Sequence, residues 1–248
     1  MTNIIIVGAN GKMGNTIRKL ASVRDDLNIA AGVDKNSEGN GLAIYESILQ
    51  VKEDLDVVLD FSRPSSLPSL LKFCTEKNKP LILCTTGYSA EELEQIEEAS
   101  NTIPIFKSAN MSIGINVISN VLKNISKFLY KEFDIEIIEK HHNQKADAPS
   151  GTAILLADTI KDSIGEDLNY ISGREGNCKR TKNEIGIHAI RGGNIVGEHT
   201  VIFAGNSETI EIKHSAMSRE VFAVGALLAC QFMKGKGKGY YSMDDILK

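Results

Sequence analysis

The sequence predicts an α/β fold: a doubly wound parallel sheet, followed by a second, α+β domain built on an open mixed sheet. Three observations predict it. Short apolar runs alternate with helical patterns through the first half of the 248 residues. Three glycines stand between the first apolar run and the first helical pattern. After about residue 112 the alternation gives way to one long amphipathic helix and then to successive strands. A chain of this length, 42% hydrophobic and 24% charged, is long enough to bury two modest cores.

The first strand is "NIIIV" (3–7), a β-branched run of the kind covered on both faces. "NTIRKLASV" follows with helical spacing, and "NIAAGVD" (28–34) is the second strand. "DVVLDF" (56–61), "PLILC" (80–84) and "IPIF" (103–106) continue the series. Between them lie the helical stretches "SSLPSLLKFCTEK" and "AEELEQIEEAS", the second opened by Ser89 and Glu92, a reciprocal capping-box pair. Strand, helix, strand, helix implies parallel pairing through crossover helices.

In the second half, "INVISNVLKNISKFLYK" sets Ile115, Ile118, Leu122, Ile125 and Leu129 near one helical face. "DIEIIEKHH" (134–142) reads as a strand and "TAILLADTIKDSI" as the helix after it. Residues 165–184 are polar and glycine-containing and read as an exposed loop. "GIHAIR", "NIVGEHTVIF" and "ETIEIKHS" are strands, with "GG" and "AGNS" between them as hairpin turns. The helix "REVFAVGALLACQFM" is apolar on most sides and reads as buried, back against the first domain. "KGKGKG" (234–239) reads as a solvated, flexible connection. The expected divisions are 1–112, 113–217 and a returning segment, 218–248.

Several function classes are disfavoured. A net charge of −4 argues against a general nucleic-acid binder. Cys74, Cys84, Cys178 and Cys230 show no CxxC spacing, which suits reduced thiols and offers no zinc site. "MTNIIIVGANGKMG" has no basic region before its apolar run and is too short for a signal peptide or a membrane span. A cytoplasmic protein with no membrane partner is expected.

"VGANGKMG" places Gly8, Gly11 and Gly14 in a GxxGxxG spacing between a strand and a helix. Glycine lets the backbone turn tightly and approach a pyrophosphate, whose charge then sits at a helix N-terminus, as in a Rossmann-like dinucleotide site. Asp34 ends the second strand twenty residues after Gly14, where an acid accepts a ribose hydroxyl. Asp34 repels the 2′-phosphate of NADP while Lys35 attracts it, so NAD is favoured and use of both is open.

"EKHHNQKADAPSGTA" (139–153) concentrates titratable groups. Neighbours on a strand point to opposite faces, so His141 and His142 make a poor chelating pair and no metal is expected. Acid–base chemistry fits better, with histidine as donor or acceptor near neutrality and Lys145 as a fixed positive charge or a proton source. Pro149 stiffens the approach to a helix whose N-cap is Ser150. Gly151 and Thr152 then present amides, and Thr152 a hydroxyl, to a carboxylate or phosphate. A nucleotide half followed by a proton-donor and anion-binding half is the layout of a two-domain reductase.

With these residues in view, nearly the whole chain resembles the 4-hydroxy-tetrahydrodipicolinate (dihydrodipicolinate) reductase family of the diaminopimelate route to lysine. The resemblance rests on "VGANGKMG", "DFSRP" (60–64), "CTTGY" (84–88), "SANMSIGIN" (108–116), "EKHHNQKADAPSGTA" and "GGNIVGEHTVIF" (192–203). It implies that His141 is the catalytic histidine and Lys145 the proton-donating lysine, with His142, Gly151 and Thr152 holding the carboxylates of a small dicarboxylate substrate. It also implies NADH or NADPH as cofactor. The loop Gly8, Ala9, Asn10, Gly11, Lys12 and Met13 would take the pyrophosphate, with Asp34 and Lys35 at the ribose. Cys84, Thr85 and Thr86, with Ser108, Ala109, Asn110 and Met111, would flank the nicotinamide half. The family is typically a homotetramer assembled through the sheet of its second domain.

The chain departs from the family pattern in three places. "HHRHK" is usual where this chain carries Asn143 and Gln144, which removes positive charge. Cys84 stands where the family commonly has glycine, and Lys12 where it often has arginine. Two rival readings remain: another two-domain nicotinamide dehydrogenase, and a non-catalytic NAD(P)-sensing protein. His188, His199 and His214 read as structural, and Arg63 faces either the cofactor or solvent.

Overall fold

β-Branched runs become central strands where both faces of a sheet are covered, and β1 (Thr2–Val7) is the instance here. In the computed structural model, which describes residues 1–36 and 41–248, the chain forms two units, Met1–Ile113 with Glu220–Lys248 and Gly114–Arg219. After β1 come α1 (Lys12–Ala21), β2 (Leu27–Val33), the short β3 (Ile44–Tyr45) and β4 (Val57–Asp60). Then follow α2 (Leu67–Lys77), β5 (Leu81–Leu83), α3 (Ala90–Ser100) and β6 (Pro104–Lys107). Side chains alternate across β1: Ile4 and Ile6 enter one core with Ile17, Leu59, Ile82 and Phe106. Ile5 and Val7 enter the other with Val58, Leu70, Phe73 and Ile96. The expected capping box is present: Ser89 Oγ accepts from Glu92 N, and the Glu92 carboxylate accepts from Ser89 N. Removal of such a cap costs about 1 kcal/mol.

The second unit contains α4 (Ile113–Leu129), β7 (Asp134–His141), α5 (Gly151–Ile164), β8 (Asn169–Ser172), β9 (Glu184–Arg191), β10 (Gly197–Ala204) and β11 (Thr209–Ala216). Its sheet runs β11-β10-β7-β9-β8. Ile135 and Ile137 of β7 pack with Leu122 and Leu129 of α4 and with Leu156, Ala157 and Ile160 of α5.

Two sequence readings are corrected here. "GG" is not a hairpin turn, because β7 lies between β9 and β10, parallel to the first and antiparallel to the second. The register explains the order: Gly186 sits opposite Glu136, and a Cβ there would collide with the Glu136 carboxylate. That carboxylate is held by Arg180 at 3.1 Å and His188 at 2.8 Å, which locks β9 beside β7. The 165–184 stretch is not all loop, since β8 pairs parallel to β9. It is a half-exposed edge strand with polar ends, so hydrophobic alternation could not reveal it.

The chain then returns to the first unit. α6 (Glu220–Met233) places Ala223, Ala226, Leu227, Cys230 and Met233 in the core around Ile4 and Ile6. Gly225 lets α6 close on the backbone at Met111, because a Cβ there would overlap the Met111 carbonyl oxygen. "KGKGKG" is a connection only up to its last glycine, where β12 (Gly239–Tyr241) begins and pairs parallel to β6; α7 (Met243–Ile246) follows. The first sheet therefore runs β12-β6-β5-β4-β1-β2-β3, parallel at every pairing. Among the described residues, no helix is long and apolar enough to cross a membrane.

Candidate functional site

In an open parallel sheet, ligands bind beyond the carboxyl ends of the strands. Gly8 follows β1 with φ +81°, and a Cβ there would stand 2.6 Å from the Phe61 carbonyl oxygen. The Gly8 and Ala9 amides both donate to Val33 O, at 2.9 and 3.2 Å. Gly11 is the N-cap of α1 with no side-chain cap, and the first turn carries no acid. The helix begins at Lys12, three residues before the pattern that predicted it, so Gly14 lies inside the first turn. A Cβ on Gly14 would come under 3.0 Å from the carbonyl oxygens of both Gly8 and Ala9. A glycine-lined cradle at a helix N-terminus that brings no anion of its own fits a pyrophosphate.

The ribose end is also built. Asp34 Oδ2 accepts from Asn10 N at 2.9 Å and Oδ1 from Asn36 N at 3.1 Å. Asn10 donates through Nδ2 to Asn36 O at 2.7 Å and accepts from Arg18 at 3.0 Å. Asp34 is half-buried, and each of its oxygens retains acceptor capacity for a hydroxyl. Lys12 and Lys35 are exposed, and Met13 packs against the core.

The residues expected to flank the nicotinamide half divide by direction. Thr86 and Ala109 are exposed and Ser108 half-buried, whereas Met111 is in the core. Asn110 Oδ1 accepts from Ser112 N at 2.8 Å, Ser108 Oγ donates to Asn110 O at 3.1 Å, and Cys84 packs on the core's edge. Thr85 Oγ1 donates to Asp60 Oδ2 at 2.7 Å. Asp60 was not singled out in the sequence. It is fully buried at the end of β4 and also takes bonds from Ser62 N at 3.1 Å, the Ser62 hydroxyl, and Tyr88 OH at 3.4 Å. Burial pushes its carboxyl above the usual range despite those donors. It ties "DFSRP" to "CTTGY".

In the second unit, β7 ends at His141, which is 8% exposed. His141 Nδ1 lies 2.6 Å from Glu139 Oε2, and the fully buried Glu139 forms a paired-oxygen bridge with Arg191 at 2.7 and 2.8 Å. Burial alone would raise the Glu139 carboxyl; Arg191, His141 and the Ser150 amide hold it below the ordinary range. An ionised carboxylate only accepts, so Nδ1 is the donor. Ser150 N donates to Glu139 Oε1 at 2.9 Å, and Ser150 Oγ accepts from Ala153 N at 3.2 Å as the expected N-cap of α5. Gly151 is exposed at the mouth of that helix and Thr152 is half-buried beside it. Lys145 Nζ pairs with Asp147 at 2.8 Å, and its amide donates to His142 O at 3.1 Å. Asn143 and Gln144 are exposed.

His199 lies inside this cluster. Its Nε2 is 3.0 Å from Ser150 Oγ, and its ring meets that of His141 edge-on at 5.2 Å. Burial, then the neighbouring His141, lowers its pKa to about 4, so it is neutral near pH 7. Glu139, Arg191 and His199 were absent from the sequence-derived site. Glu139 had a signal: period two places it with Ile135, Ile137 and His141 on the covered face, where a carboxylate needs partners.

The likeness to known proteins runs the length of the chain. Residues 2–111 match the family "Dihydrodipicolinate reductase, N-terminus" and residues 114–247 "Dihydrodipicolinate reductase, C-terminus". The chain is 66% identical over 248 residues to a 4-hydroxy-tetrahydrodipicolinate reductase of Clostridium tetani, covering 100% of this chain and 97% of that one. It is 59% identical to the protein of that name from Clostridium novyi, over 100% of this chain and 99% of the other. The fold matches a dipicolinate-bound dihydrodipicolinate reductase from Paenisporosarcina sp. TG-14 with a TM-score of 0.80, at 23% identity and covering 98% and 97% of the two chains.

Proposed function

The chain belongs to the dihydrodipicolinate reductase family, and from that premise we propose how its own residues divide the work. The activity is nicotinamide-dependent reduction of 4-hydroxy-tetrahydrodipicolinate to tetrahydrodipicolinate on the diaminopimelate route to lysine. The unit Met1–Ile113 with Glu220–Lys248 holds the cofactor through the Gly8–Gly14 cradle, Asp34 and the 84–86 and 108–111 segments. When bound there, the cofactor supplies a hydride to the substrate ring.

The unit Gly114–Arg219 binds the dicarboxylate. The N-terminus of α5, with Gly151 and Thr152, receives one carboxylate, and His142 or Lys145 the other. Loss of water and reduction of the ring leave an enamine, which His141 protonates from Nε2 with Lys145 assisting. The observation that carries this assignment is the Glu139–His141 contact at 2.6 Å, which occupies Nδ1 and leaves Nε2 as the donating atom. Water exclusion and fixed charge around the developing charge supply the remainder, with no covalent intermediate.

NADH is the preferred cofactor on this reading, because Asp34 disfavours a 2′-phosphate, and the exposed Lys35 leaves NADPH usable. Free thiols at Cys74, Cys84, Cys178 and Cys230 suit a cytoplasmic location. A homotetramer would assemble through the sheet face of the second unit opposite α4 and α5, where Glu136, Ile138 and Lys140 lie.

The test is oxidation of NADH and of NADPH, followed by the absorbance of the reduced nicotinamide, with substrate generated in situ by its synthase. Substrate-dependent oxidation, faster with NADH, is expected; cofactor binding without turnover would favour a sensor. Lys145→Ala is expected to lower kcat far more than cofactor affinity and to raise the substrate KM. Equal losses in kcat and in NADH affinity would remove it from the proton-donating role.

A further inference from the structure

Resting on the reading of His141 and Lys145 as the proton-donating pair, we propose that Glu139 and Arg191 are its positioning residues. Glu139 holds the imidazole by Nδ1 so that Nε2 donates, and Arg191 clamps the loop that carries Lys145. Four donors converge on the Glu139 carboxylate. Oε1 takes Arg191 Nη2 at 2.8 Å and Ser150 N at 2.9 Å; Oε2 takes Arg191 Nη1 at 2.7 Å and His141 Nδ1 at 2.6 Å. Two acceptor positions on each oxygen are thereby filled. The carboxylate has no lone pair left for substrate or water, so it acts through its neighbours.

Two further observations point the same way. A Cβ on Gly197 would stand 3.1 Å from His141 Nε2, so glycine at the start of β10 keeps the donating edge clear. Arg191, paired with His141 in the β7–β9 register, also donates through Nη2 to Asp147 O at 2.5 Å. Asp147 is thus gripped twice, by its backbone from Arg191 and by its carboxylate from Lys145 at 2.8 Å. One guanidinium braces both members of the pair, a task that needs its planar fork and that a lysine point charge cannot reproduce. The other ring facing His141 is the neutral His199, at 5.2 Å, which adds no competing charge near pH 7.

The experiment compares Glu139→Gln, Arg191→Lys, His141→Gln and the double variant E139Q/H141Q in the full-length enzyme. Glu139→Gln is expected to lower kcat on the order of 100-fold, with the KM for NADH unchanged. Added to His141→Gln, the same change is expected to cost less than about threefold, since groups acting as one unit are non-additive. Arg191→Lys is expected to lower kcat and, unlike Glu139→Gln, to raise the substrate KM through the Lys145 loop. Glu139→Asp, which keeps the charge, serves if the glutamine variant does not fold, and is expected to lower kcat with the KM for NADH unchanged. A wild-type kcat in Glu139→Gln, with His141→Gln inactive, would overturn the positioning role; so would full additivity in the double variant. Wild-type turnover in His141→Gln would overturn the proton-donor reading beneath it.

Discussion

His141→Gln is expected to lower kcat by roughly 100- to 10,000-fold, the range that a positioned general acid contributes, while the Kd for NADH stays within about twofold. Glutamine preserves much of the shape and can still donate to Glu139, but it carries no proton that it can release near pH 7. The asymmetry follows from where the residue stands. His141 ends a strand of the unit Gly114–Arg219, whereas the glycine cradle and Asp34 belong to the other unit. Steady-state kinetics with saturating substrate, beside a fluorescence titration of NADH, measures both quantities. Parallel losses in both would mean that the substitution damages the fold, and His141 would lose its assignment.

Gly14→Ala is expected to produce the opposite signature, a collapse of cofactor affinity at an unaltered substrate site. The added methyl would come under 3.0 Å from two backbone carbonyl oxygens, those of Gly8 and Ala9, so the loop itself must move. Overpacking of that kind costs about 1–3 kcal/mol, which converts to roughly a 5- to 150-fold rise in Kd for NADH if all of it falls on binding. Gly11→Ala is the graded comparison, since its Cβ would meet only Gly8 O, at 3.2 Å, and a smaller rise is expected. Calorimetric titration with NADH, together with the Tm of each apo variant, measures how the cost divides between binding and folding. Equal affinities for the two variants would show that the loop does not pack on the cofactor as described.

What could be read from the sequence is what local chemistry determines. Only glycine tolerates the approaches made at Gly8 and Gly14, so the cradle announces itself. The Ser89–Glu92 pair closes within one helical turn. "HHNQK" followed by "PSGT" concentrates a donor and a helix N-terminus within a few residues. The partners that set those groups were out of sight because they meet through strand register. Arg191 is 52 positions from Glu139 in the chain and reaches it only because β9 lies beside β7. That adjacency was misread, as "GG" resembles a hairpin turn and the ion pairs that hold β9 in place have no periodic signature. β12 was hidden for another reason: its first residue, Gly239, closes the low-complexity "KGKGKG", and a three-residue edge strand offers too little alternation to register.

The interrupted construction of the first unit has a consequence for how the protein is made. Its parallel sheet begins with β1, written well before the second unit, yet one of the helices that cover Ile4, Ile6 and Leu59 is encoded in Glu220–Lys248. The later-written unit is contiguous and holds all five of its strands once Ala216 has emerged. Domains mature as units during synthesis, so the usual N-to-C order is reversed here: the second core can close first. The nascent dinucleotide sheet has α1 on that face early, but the part that α6 covers stays open until Glu220–Met233 has been made.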